Sequence, residues 1–582
     1  MQILLICIND KWNLQRHLAC PWFLHSLSHH ELVFVNTCNR MVVLNTGLRG
    51  ASVAFFFTLT IAIGATSVIT SEGQRLTLSV DVTKSLHVTS RSYLSITISG
   101  GQLRKGLIGY DFSSEKLQNL AAELGPADVR IGGTYSDFLN FDPSSNEANC
   151  VDVSAQGGDY DYPETTIAPG AAADGNAKHD SFSSGQLDFT MSGKRWETLT
   201  KFCDQAGWDI LWDFNLLDSR GEPWNPAKAK EFLEFSSSRG IKIPMLELGN
   251  EPNLYERKFG IDISAEKLVG DYETLRNVTA EMPQYAASGV YAPGVNNLDH
   301  FSSSRKYLTQ FLQNRGCDVI TEVALHHYYF QAEEAKTSDF TDLNVLEGLR
   351  DELEYAYNIS WANCRLKKPI RFTETSTASG GGVPQVSNAY IAGFLWLDKL
   401  GLSATYGITR VFRQTFLKSS YALVTKTLKP NPDYYLSVLY KRLVEGPVFR
   451  VLDEGLSPQV RIYAHCVAKS KYYNYKDGAV VIYYLNIGDE SSTLSLGEFL
   501  GAPVDLFILT PGDDKGLLSR KVKLNDQLLT MKTPELPALE PKSHTGDVTL
   551  APKTFGFIVI PEADVQLCKD YHRYNDGVPV SC

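Results

Sequence analysis

Two glutamates, Glu251 and Glu374, each follow a short apolar run in this chain of 582 residues. Glu251 lies in the segment Leu-Glu-Leu-Gly-Asn-Glu-Pro-Asn, and Glu374 precedes a glycine triplet at 380–382. Paired carboxyl groups are the minimal equipment for cleaving a glycosidic bond, because one protonates the leaving oxygen while the other attacks the sugar or activates water. A separation of about 5 to 5.5 Å gives retention of configuration, and a wider gap gives inversion. These residues are therefore the candidate catalytic pair.

Each glutamate also has a structural interpretation. The Asn-Glu-Pro sequence around Glu251 is typical of a turn or a helix cap, because proline ends a strand. Glu374 could instead be a structural carboxylate that pairs with Arg130 or Arg413. The catalytic hypothesis therefore depends on whether the two carboxyl groups face each other.

Short apolar runs alternate with helical patterns between about residues 104 and 440, which predicts a parallel (β/α)8 barrel. In that fold, polar side chains at the C-terminal ends of strands point into the active site. The predicted strands are 128–131, 210–214, 244–248, 323–326 and 370–372, and the predicted helices are 114–124, 226–239, 265–281 and 343–357. The polar residues at such strand ends are Arg130, Asn250, Glu251, His326 and Glu374.

The sequence changes character near residue 441, where strand-like runs separated by Gly, Pro and Asp turns replace the βα pattern. We predict an all-β sandwich over 441–582. Residues 71–103 also alternate between apolar and polar, and because they precede the barrel and need a partner sheet, we assign them to the sandwich. The predicted fold is an α/β chain: a TIM barrel over 104–440 with an appended all-β sandwich.

An acidic segment at 142–188 interrupts the barrel pattern. It contains nine acidic residues and a single lysine, with almost no aliphatic periodicity. A stretch of this kind is either a flexible surface loop or a propeptide-like linker that covers the site until it is excised. Its negative charge beside a site for a negative substrate favours the second hypothesis.

Residues 1–70 are predicted to hold a targeting segment. A mostly apolar run at 51–69 follows Arg40 and Arg49 and ends in small residues, as in a signal peptide. Translation from Met41 would give a signal of ordinary length. We expect a secreted, extracellular or lysosomal protein, with membrane anchoring by 51–69 as the alternative. The net charge of −11 argues against a general binder of polyanions, and no nucleic-acid partner is predicted.

Ten cysteines are present, and seven of them follow the apolar run. In a secreted chain this number predicts structural disulfides and one odd thiol. No Cys/His spacing is typical of a zinc site, so neither a metal nor another cofactor is predicted. Asn277 and Asn358 lie in sequons for N-glycosylation.

Several motifs resemble, in the same order, those of the heparanase family of endo-β-glucuronidases, glycoside hydrolase family 79. They lie at 129–134, 137–139, 246–253, 326–329 and 374–376, the last with its glycine triplet. Further similar segments are 392–402, 413–414, 432–437 and 516–519. The resemblance runs from about residue 75 to residue 568 and excludes most of the acidic segment.

The resemblance implies a retaining mechanism in which Glu251 is the general acid/base and Glu374 is the nucleophile. It also implies that Gly380, Gly381 and Tyr421 hold the carboxylate of a uronic acid, a task that suits the backbone N–H groups of a glycine-rich turn. Other positions that match substrate-binding or supporting residues are Asn250, Thr134, Arg257, Tyr328 and Gln414.

The resemblance further implies two disulfides, Cys150–Cys203 and Cys466–Cys568. The segment 142–188 corresponds to a linker that a processing protease excises in the family. The implied partner is an acidic polysaccharide, either heparan sulfate or hyaluronan.

Some basic residues expected from the family are missing. The segments 181–185 and 296–300 replace basic clusters, and Glu333 replaces an arginine that faces the substrate, although Arg257 and Lys258 persist. Sulfate groups prefer Arg and Lys partners, so unsulfated hyaluronan is an alternative to heparan sulfate. A catalytically silent glycan-binding member is the second alternative, but silent members usually lack one carboxylate and both are present here.

Overall fold

The structure is a computed structural model that describes residues 75–107, 110–145, 187–219, 221–299, 303–452, 457–499 and 501–575. Its strands are β1 (Arg75–Thr77), β2 (Ser79–Thr89), β3 (Leu94–Ser99), β4 (Ala127–Gly132), β5 (Leu139–Asp142), β6 (Phe189–Ser192), β7 (Trp208–Phe214), β8 (Met245–Leu248), β9 (Gly289–Val295), β10 (Glu322–Gln331), β11 (Ile370–Ser379), β12 (Val411–Arg413), β13 (Val444–Leu452), β14 (Val460–Val467), β15 (Val480–Asn486), β16 (Ser492–Ser495), β17 (Val504–Pro511), β18 (Val522–Leu524), β19 (Gln527–Leu528), β20 (Lys542–His544), β21 (Val548–Leu550) and β22 (Thr554–Ile560). Its helices are α1 (Gly100–Arg104), α2 (Glu115–Ala122), α3 (Gly193–Ala206), α4 (Ala227–Ser238), α5 (Tyr255–Phe259), α6 (Ala265–Ala280), α7 (Ser303–Phe311), α8 (Cys317–Val319), α9 (Leu343–Asn363), α10 (Ala392–Tyr406), α11 (Pro432–Leu443) and α12 (Gln566–Asn575).

The predicted barrel is confirmed. Its strands follow the order β3-β4-β7-β8-β9-β10-β11-β12, and neighbouring strands are parallel. The barrel closes where β12 pairs with β3 in parallel, with Val411 opposite Leu94. Because all strands run in one direction, their C-terminal ends meet at one face of the barrel, which is where active sites of this fold lie.

The domain boundary predicted at residue 103 is wrong, because β3 is a barrel strand. Its apolar residues alternate with Ser95, Thr97 and Ser99, a pattern that is typical of a strand with one solvent-exposed face. All six residues of β3 are in fact buried, and the polar ones are hydrogen-bonded inside the protein. For example, the backbone N–H of Asp128 donates to the Ser95 hydroxyl at 2.9 Å. Strand β2, in contrast, pairs antiparallel with β13 of the sandwich.

The sandwich consists of a large and a small sheet. The large sheet has the order β19-β18-β17-β22-β15-β14-β13-β2, with β20 paired to β17, and the small sheet has the order β1-β16-β21. Side chains of a strand alternate between its two faces. On β15, Val480, Ile482 and Tyr484 share a core with the small sheet, whereas Val481, Tyr483 and Leu485 belong to the core of the barrel. The large sheet is therefore covered on both faces.

Helix α10 lies between the barrel and the large sheet. A Cβ atom at Gly393 would come within 2.4 Å of the Phe555 ring, and one at Gly401 would come within 2.2 Å of the Tyr463 ring. The two glycines thus allow the helix to approach the sheet closely. Asp398 on the same helix accepts a hydrogen bond from the Tyr463 hydroxyl at 2.6 Å. This contact helps to hold α10, the helix that follows β11, against the large sheet.

Two disulfides are present among the described residues. Cys466–Cys568, which the family resemblance implies, ties β14 to α12. Cys317–Cys364 joins α8 to the residue after α9 and was not predicted. Nothing in the spacing of seven cysteines selects this pair, because connectivity cannot be deduced from sequence.

Strands β5 and β6 flank the acidic segment and pair with each other in parallel, with Asp142 opposite Ser192. Residues 146–186, including Cys150, lie outside the described residues. Cys203 is buried on α3 and forms no disulfide with another described cysteine. The Cys150–Cys203 pairing and the excision of the linker therefore stay predictions.

No helix within the described ranges is both long and apolar enough to cross a membrane. The predicted signal or anchor at 51–69 lies outside those ranges. Asn277 on α6 and Asn358 on α9 are both exposed, so each sequon asparagine is accessible on the folded surface.

Candidate active site

Glu251 and Glu374 lie next to each other at the C-terminal face of the barrel. Glu251 follows β8, and Glu374 lies on β11. One carboxylate oxygen of each residue and one ring nitrogen of His326 all lie within 4.8 Å of one another. This short separation is compatible with retaining chemistry, whereas inverting chemistry needs a gap of about 6.5 to 9.5 Å for a water molecule.

Both oxygens of Glu374 are held by a donor. Arg130 Nη1 donates to Oε2 at 2.8 Å, and the Tyr328 hydroxyl donates to Oε1 at 2.6 Å. The pairing with Arg130 that a structural role would predict thus exists, while Arg413 pairs with Asp433 at 2.9 Å instead. The carboxylate of Glu374 is nevertheless directed toward Glu251. Glu374 therefore pairs with an arginine and also faces a second glutamate, so its structural and catalytic interpretations are compatible.

Arg130 is fully buried and contacts three carboxylates. Besides Glu374, it lies 2.6 Å from Glu247 and 3.4 Å from Asp213, and it donates to Asn250 Oδ1 at 3.0 Å. Burial raises the pKa of Asp213 to about 6, although Arg130 opposes this shift. Sequence reasoning missed Asp213 and Glu247, although each lies near the end of a predicted strand.

Two cationic or polar side chains contact Glu251. Lys258 Nζ lies 2.9 Å from Oε2, and His326 Nδ1 lies 3.2 Å from Oε1. Burial alone would raise the pKa of the Glu251 carboxyl, but Lys258 and His326 outweigh it and lower this pKa well below the ordinary range. The free site therefore favours the charged form of Glu251.

The backbone of Glu251 is strained. Its φ of 56° and ψ of 56° lie in the left-handed region, two residues after Gly249, which has a φ of 83°. A residue other than glycine pays on the order of 1 to 3 kcal/mol for such a conformation, and strain of this kind clusters at functional sites. Residues before proline also usually adopt extended conformations. The contacts with Lys258 and His326 help to hold the side chain where this backbone directs it.

The glycine triplet forms a turn beside the glutamates. Gly380 and Gly381 have φ values of 83° and 93°, which side chains rarely tolerate. The Ser419 hydroxyl donates to the Gly381 carbonyl oxygen at 2.7 Å. Tyr421 is buried, and its ring centre lies 6.3 Å from that of Tyr328. The turn and Tyr421 are thus on the side of the site occupied by Glu374.

Comparison with known proteins agrees with this geometry. The family model described as Glycosyl hydrolase family 79, N-terminal domain, matches residues 171–401. Heparanase from Bos taurus is 33% identical over 501 residues, which cover 83% of this chain and 91% of that protein. This chain belongs to glycoside hydrolase family 79.

Other relatives of this family 79 chain differ in what their names state. Hyaluronoglucuronidase from Hirudo nipponia is 30% identical over 497 residues, covering 80% of this chain and 93% of that protein. Inactive heparanase-2 from Homo sapiens is 28% identical over 541 residues, covering 84% of this chain and 89% of that protein. The crystal structure of a 4-O-α-L-rhamnosyl-β-D-glucuronidase from Fusarium oxysporum has a TM-score of 0.58 at 17% identity and covers 83% of this chain and 100% of that chain, which supports the barrel fold.

The remaining predicted residues of the family 79 site lie around the same face. Thr134 is half-buried in the turn after β4, and Gln414 is buried directly after β12, where its side-chain oxygen accepts a hydrogen bond from Thr97. Arg257, in contrast, is exposed on α5. Its neighbour Lys258 reaches Glu251 because successive residues on a helix face different directions. The contact of Lys258 with Glu251 was not predicted, and Arg257 stays a predicted substrate contact.

The spacing of Glu251, His326 and Glu374 could suggest a metal site. Lys258 and Arg130 already contact the two carboxylates, however, and each brings a positive charge. A metal ion at this point would be repelled by both side chains. The arrangement instead suits two carboxyl groups with separate roles in acid and base chemistry.

Proposed function

We propose that this family 79 chain is a retaining endo-β-glucuronidase that cleaves a glycosaminoglycan containing glucuronic acid. The observation that carries the proposal is the short separation of Glu251 and Glu374, each with its own charged partner. A nucleophile and a general acid must lie in different electrostatic environments to hold different protonation states during reaction. The two glutamates have different neighbours, but Lys258 and His326 favour the charged form of Glu251 in the free site. Glu251 must therefore gain a proton before it acts as the acid.

The proposed reaction has two steps. Glu374, oriented by Arg130 and Tyr328, attacks the anomeric carbon while protonated Glu251 gives its proton to the leaving oxygen. The resulting glycosyl-enzyme ester is then cleaved by a water molecule that gives a proton to Glu251 as its oxygen attacks the anomeric carbon. The side chain of Glu374 leaves as a carboxylate, and configuration is retained. No cofactor is needed in either step.

The glycine turn provides the proposed selectivity for uronic acid. Backbone N–H groups of Gly380 and Gly381 can approach a carboxylate closely because no side chain intervenes. Tyr421 lies beside this turn and can contribute its hydroxyl. Asn250, Thr134, Gln414 and Arg257 are the further proposed contacts of the sugar chain or supports of its site.

Replacing Lys258 with methionine is expected to shift the alkaline limb of the pH profile to higher pH. The general acid must be protonated, and Lys258 lowers the pKa of Glu251, so its removal raises that pKa and preserves the acid at higher pH. A nearby opposite charge typically changes a carboxyl pKa by about 1 to 3 units. The measurement is kcat/KM as a function of pH, which reports groups of the free enzyme.

Arg257→Met is the matched comparison, because it removes the neighbouring positive charge from a side chain exposed to solvent. We expect this variant to raise KM without moving the alkaline limb. An unchanged limb in Lys258→Met, or equal shifts in both variants, would show that Lys258 does not set the protonation of Glu251.

Heparan sulfate is the proposed substrate, supported by the similarity to heparanase. Hyaluronan is the alternative, since a similar relative is a hyaluronoglucuronidase and the positions expected to be basic include exposed Glu333. The relative named inactive heparanase-2 supports a silent glycan-binding protein as a further alternative.

Digestion of heparan sulfate and hyaluronan side by side, with analysis of the new reducing ends, separates these possibilities. We expect cleavage of heparan sulfate by the wild type and none by a Glu251→Gln/Glu374→Gln variant. Cleavage of hyaluronan alone would change the substrate and keep the mechanism. Binding of either polymer without cleavage would support the silent alternative.

We also propose that a protease excises the segment 142–188 and that the uncut segment restricts the cleft. The pairing of β5 with β6 supports this, because two chains produced by excision would remain joined in one sheet. Passage through the secretory route, by a signal or an anchor at 51–69, agrees with exposed sequons at Asn277 and Asn358. Unchanged activity after controlled trimming would reject the restricting role.

A further inference from the structure

Strand β10 continues beyond the end of its neighbour β9. The register of the two strands ends with Leu325 opposite Val295, whereas β10 extends to Gln331 and stays paired with β11 as far as that residue. Among the described residues, therefore, no strand pairs with the last part of β10 on its β9 side. Buried backbone N–H and C=O groups need partners, since an unpaired one costs about as much as a lost hydrogen bond.

The side chain of Asn297 takes the place of the missing strand at Tyr328. The Tyr328 backbone N–H donates to Asn297 Oδ1 at 2.8 Å, and Asn297 Nδ2 donates to the Tyr328 carbonyl oxygen. A carboxamide carries an acceptor and a donor side by side, so this one side chain replaces the C=O and the N–H that two successive peptide groups of a parallel neighbour would supply. The two bonds fix the backbone of the residue whose hydroxyl donates to Glu374 at 2.6 Å.

The loop that carries Asn297 is itself anchored on both sides. Asn296 Oδ1 accepts a hydrogen bond from Asn253 Nδ2 at 2.8 Å, and Asn253 belongs to the segment that follows Glu251. On the other side, the Leu298 backbone N–H donates to Glu352 Oε2 at 2.7 Å. These contacts leave the Asn297 carboxamide little freedom to turn away from Tyr328.

We propose that Asn297 is a positioning residue that holds Tyr328 so that its hydroxyl stays on Glu374. Its kinetic effect rests on the proposed function, but the contact with the Tyr328 backbone does not. Asn297 acts through Tyr328, because it forms hydrogen bonds with the Tyr328 backbone along the edge of β10 that faces away from β11. Without the carboxamide, the end of β10 loses both hydrogen bonds on that side and the tyrosine hydroxyl is no longer held at a fixed distance.

The kinetic test compares Asn297→Ala, Tyr328→Phe and the double variant. We expect Asn297→Ala to lower kcat on the order of 10- to 100-fold, because small misplacements of catalytic groups have effects of that size. KM should change much less. In the Tyr328→Phe background, the further loss from Asn297→Ala should fall below about twofold, since residues that act through one contact are not additive.

Asn363→Ala is the control, because Asn363 is also half-buried and also donates from its side chain to a backbone carbonyl, that of Ile359 at 2.8 Å, far along α9. It should leave kcat unchanged. Wild-type kcat in Asn297→Ala, or a full further loss from this substitution in the Tyr328→Phe background, would overturn the proposal.

Hydrogen–deuterium exchange tests the contact without any substrate. In Asn297→Ala, the Tyr328 amide should exchange faster than in the wild type, and the amides of β11 should keep their protection. Equal protection of Tyr328 in both proteins would overturn the proposed clamp. If the wild type cleaves no glycosaminoglycan, the proposed function fails, but the exchange result still decides whether Asn297 holds Tyr328.

Discussion

Replacing Glu374 with alanine is expected to lower the rate of cleavage by a factor on the order of 10⁵ to 10⁶, as removal of a nucleophile does in other enzymes that form covalent intermediates. The carboxylate is held by Arg130 and Tyr328 with one oxygen on each, so water cannot take its place in the same orientation. The measurement is the initial rate of new reducing ends on the polymer that the wild type cleaves.

Azide provides a sharper readout for this variant. The missing side chain leaves space on the face of the sugar from which Glu374 would attack, and a small anion can enter it next to Arg130. Attack by azide from that face gives a glycosyl azide of inverted configuration, with Glu251 still present as the acid. Mass spectrometry and NMR identify the product and its anomeric configuration.

Glu234→Ala is a suitable control, because Glu234 is exposed on α4 and outside the site. It should keep wild-type activity. Thermal unfolding should show that Glu374→Ala remains folded, since Arg130 keeps Glu247 and Asp213 as partners. Near-normal turnover in a folded Glu374→Ala protein would falsify the nucleophile assignment.

Much of the fold was predictable because the barrel repeats one pattern. The runs around Arg130, Glu251, His326 and Glu374 are short and apolar, so the strands could be located without the structure. Their ends were less predictable, because β10 and β11 continue to Gln331 and Ser379, beyond the predicted ends. Strand β3 was assigned to the wrong domain for a physical reason. Its serines and threonine satisfy their hydrogen bonds inside the barrel, so its alternating pattern does not indicate solvent on one face.

The two glutamates could be predicted from sequence, but their environments could not. Lys258 reaches Glu251 through a turn of α5, and His326 reaches it from a strand 75 residues away along the chain. The left-handed backbone of Glu251 depends on contacts that no local propensity encodes. The place of buried Asp213 in the site likewise depends on its ion pair with Arg130, which lies on a neighbouring strand. Such properties arise from the closure of the barrel.

Replacing Glu251 with alanine is expected to lower cleavage of the polymer by about 10² to 10⁴-fold, the usual contribution of general acid/base catalysis. The loss should depend on the leaving group. An aryl β-glucuronide with a good leaving group needs no proton in the first step, so Glu374 should still form its ester at a substantial rate. The second step then lacks a base, and the glycosyl-enzyme should accumulate and be visible by mass spectrometry of the intact protein.

Azide again tests the role, with the opposite stereochemical result. It needs no base, so it should attack the accumulated ester, accelerate turnover and give a glycosyl azide of retained configuration. Glu251→Gln should lose as much cleavage of the polymer as the alanine variant, since an amide can neither give a proton to the leaving oxygen nor take one from water. Retained configuration from Glu251→Ala and inverted configuration from Glu374→Ala can both occur only if the two residues have different roles. An inverted azide from Glu251→Ala, or equal losses on good and poor leaving groups, would contradict the assignment of Glu251 as the acid/base.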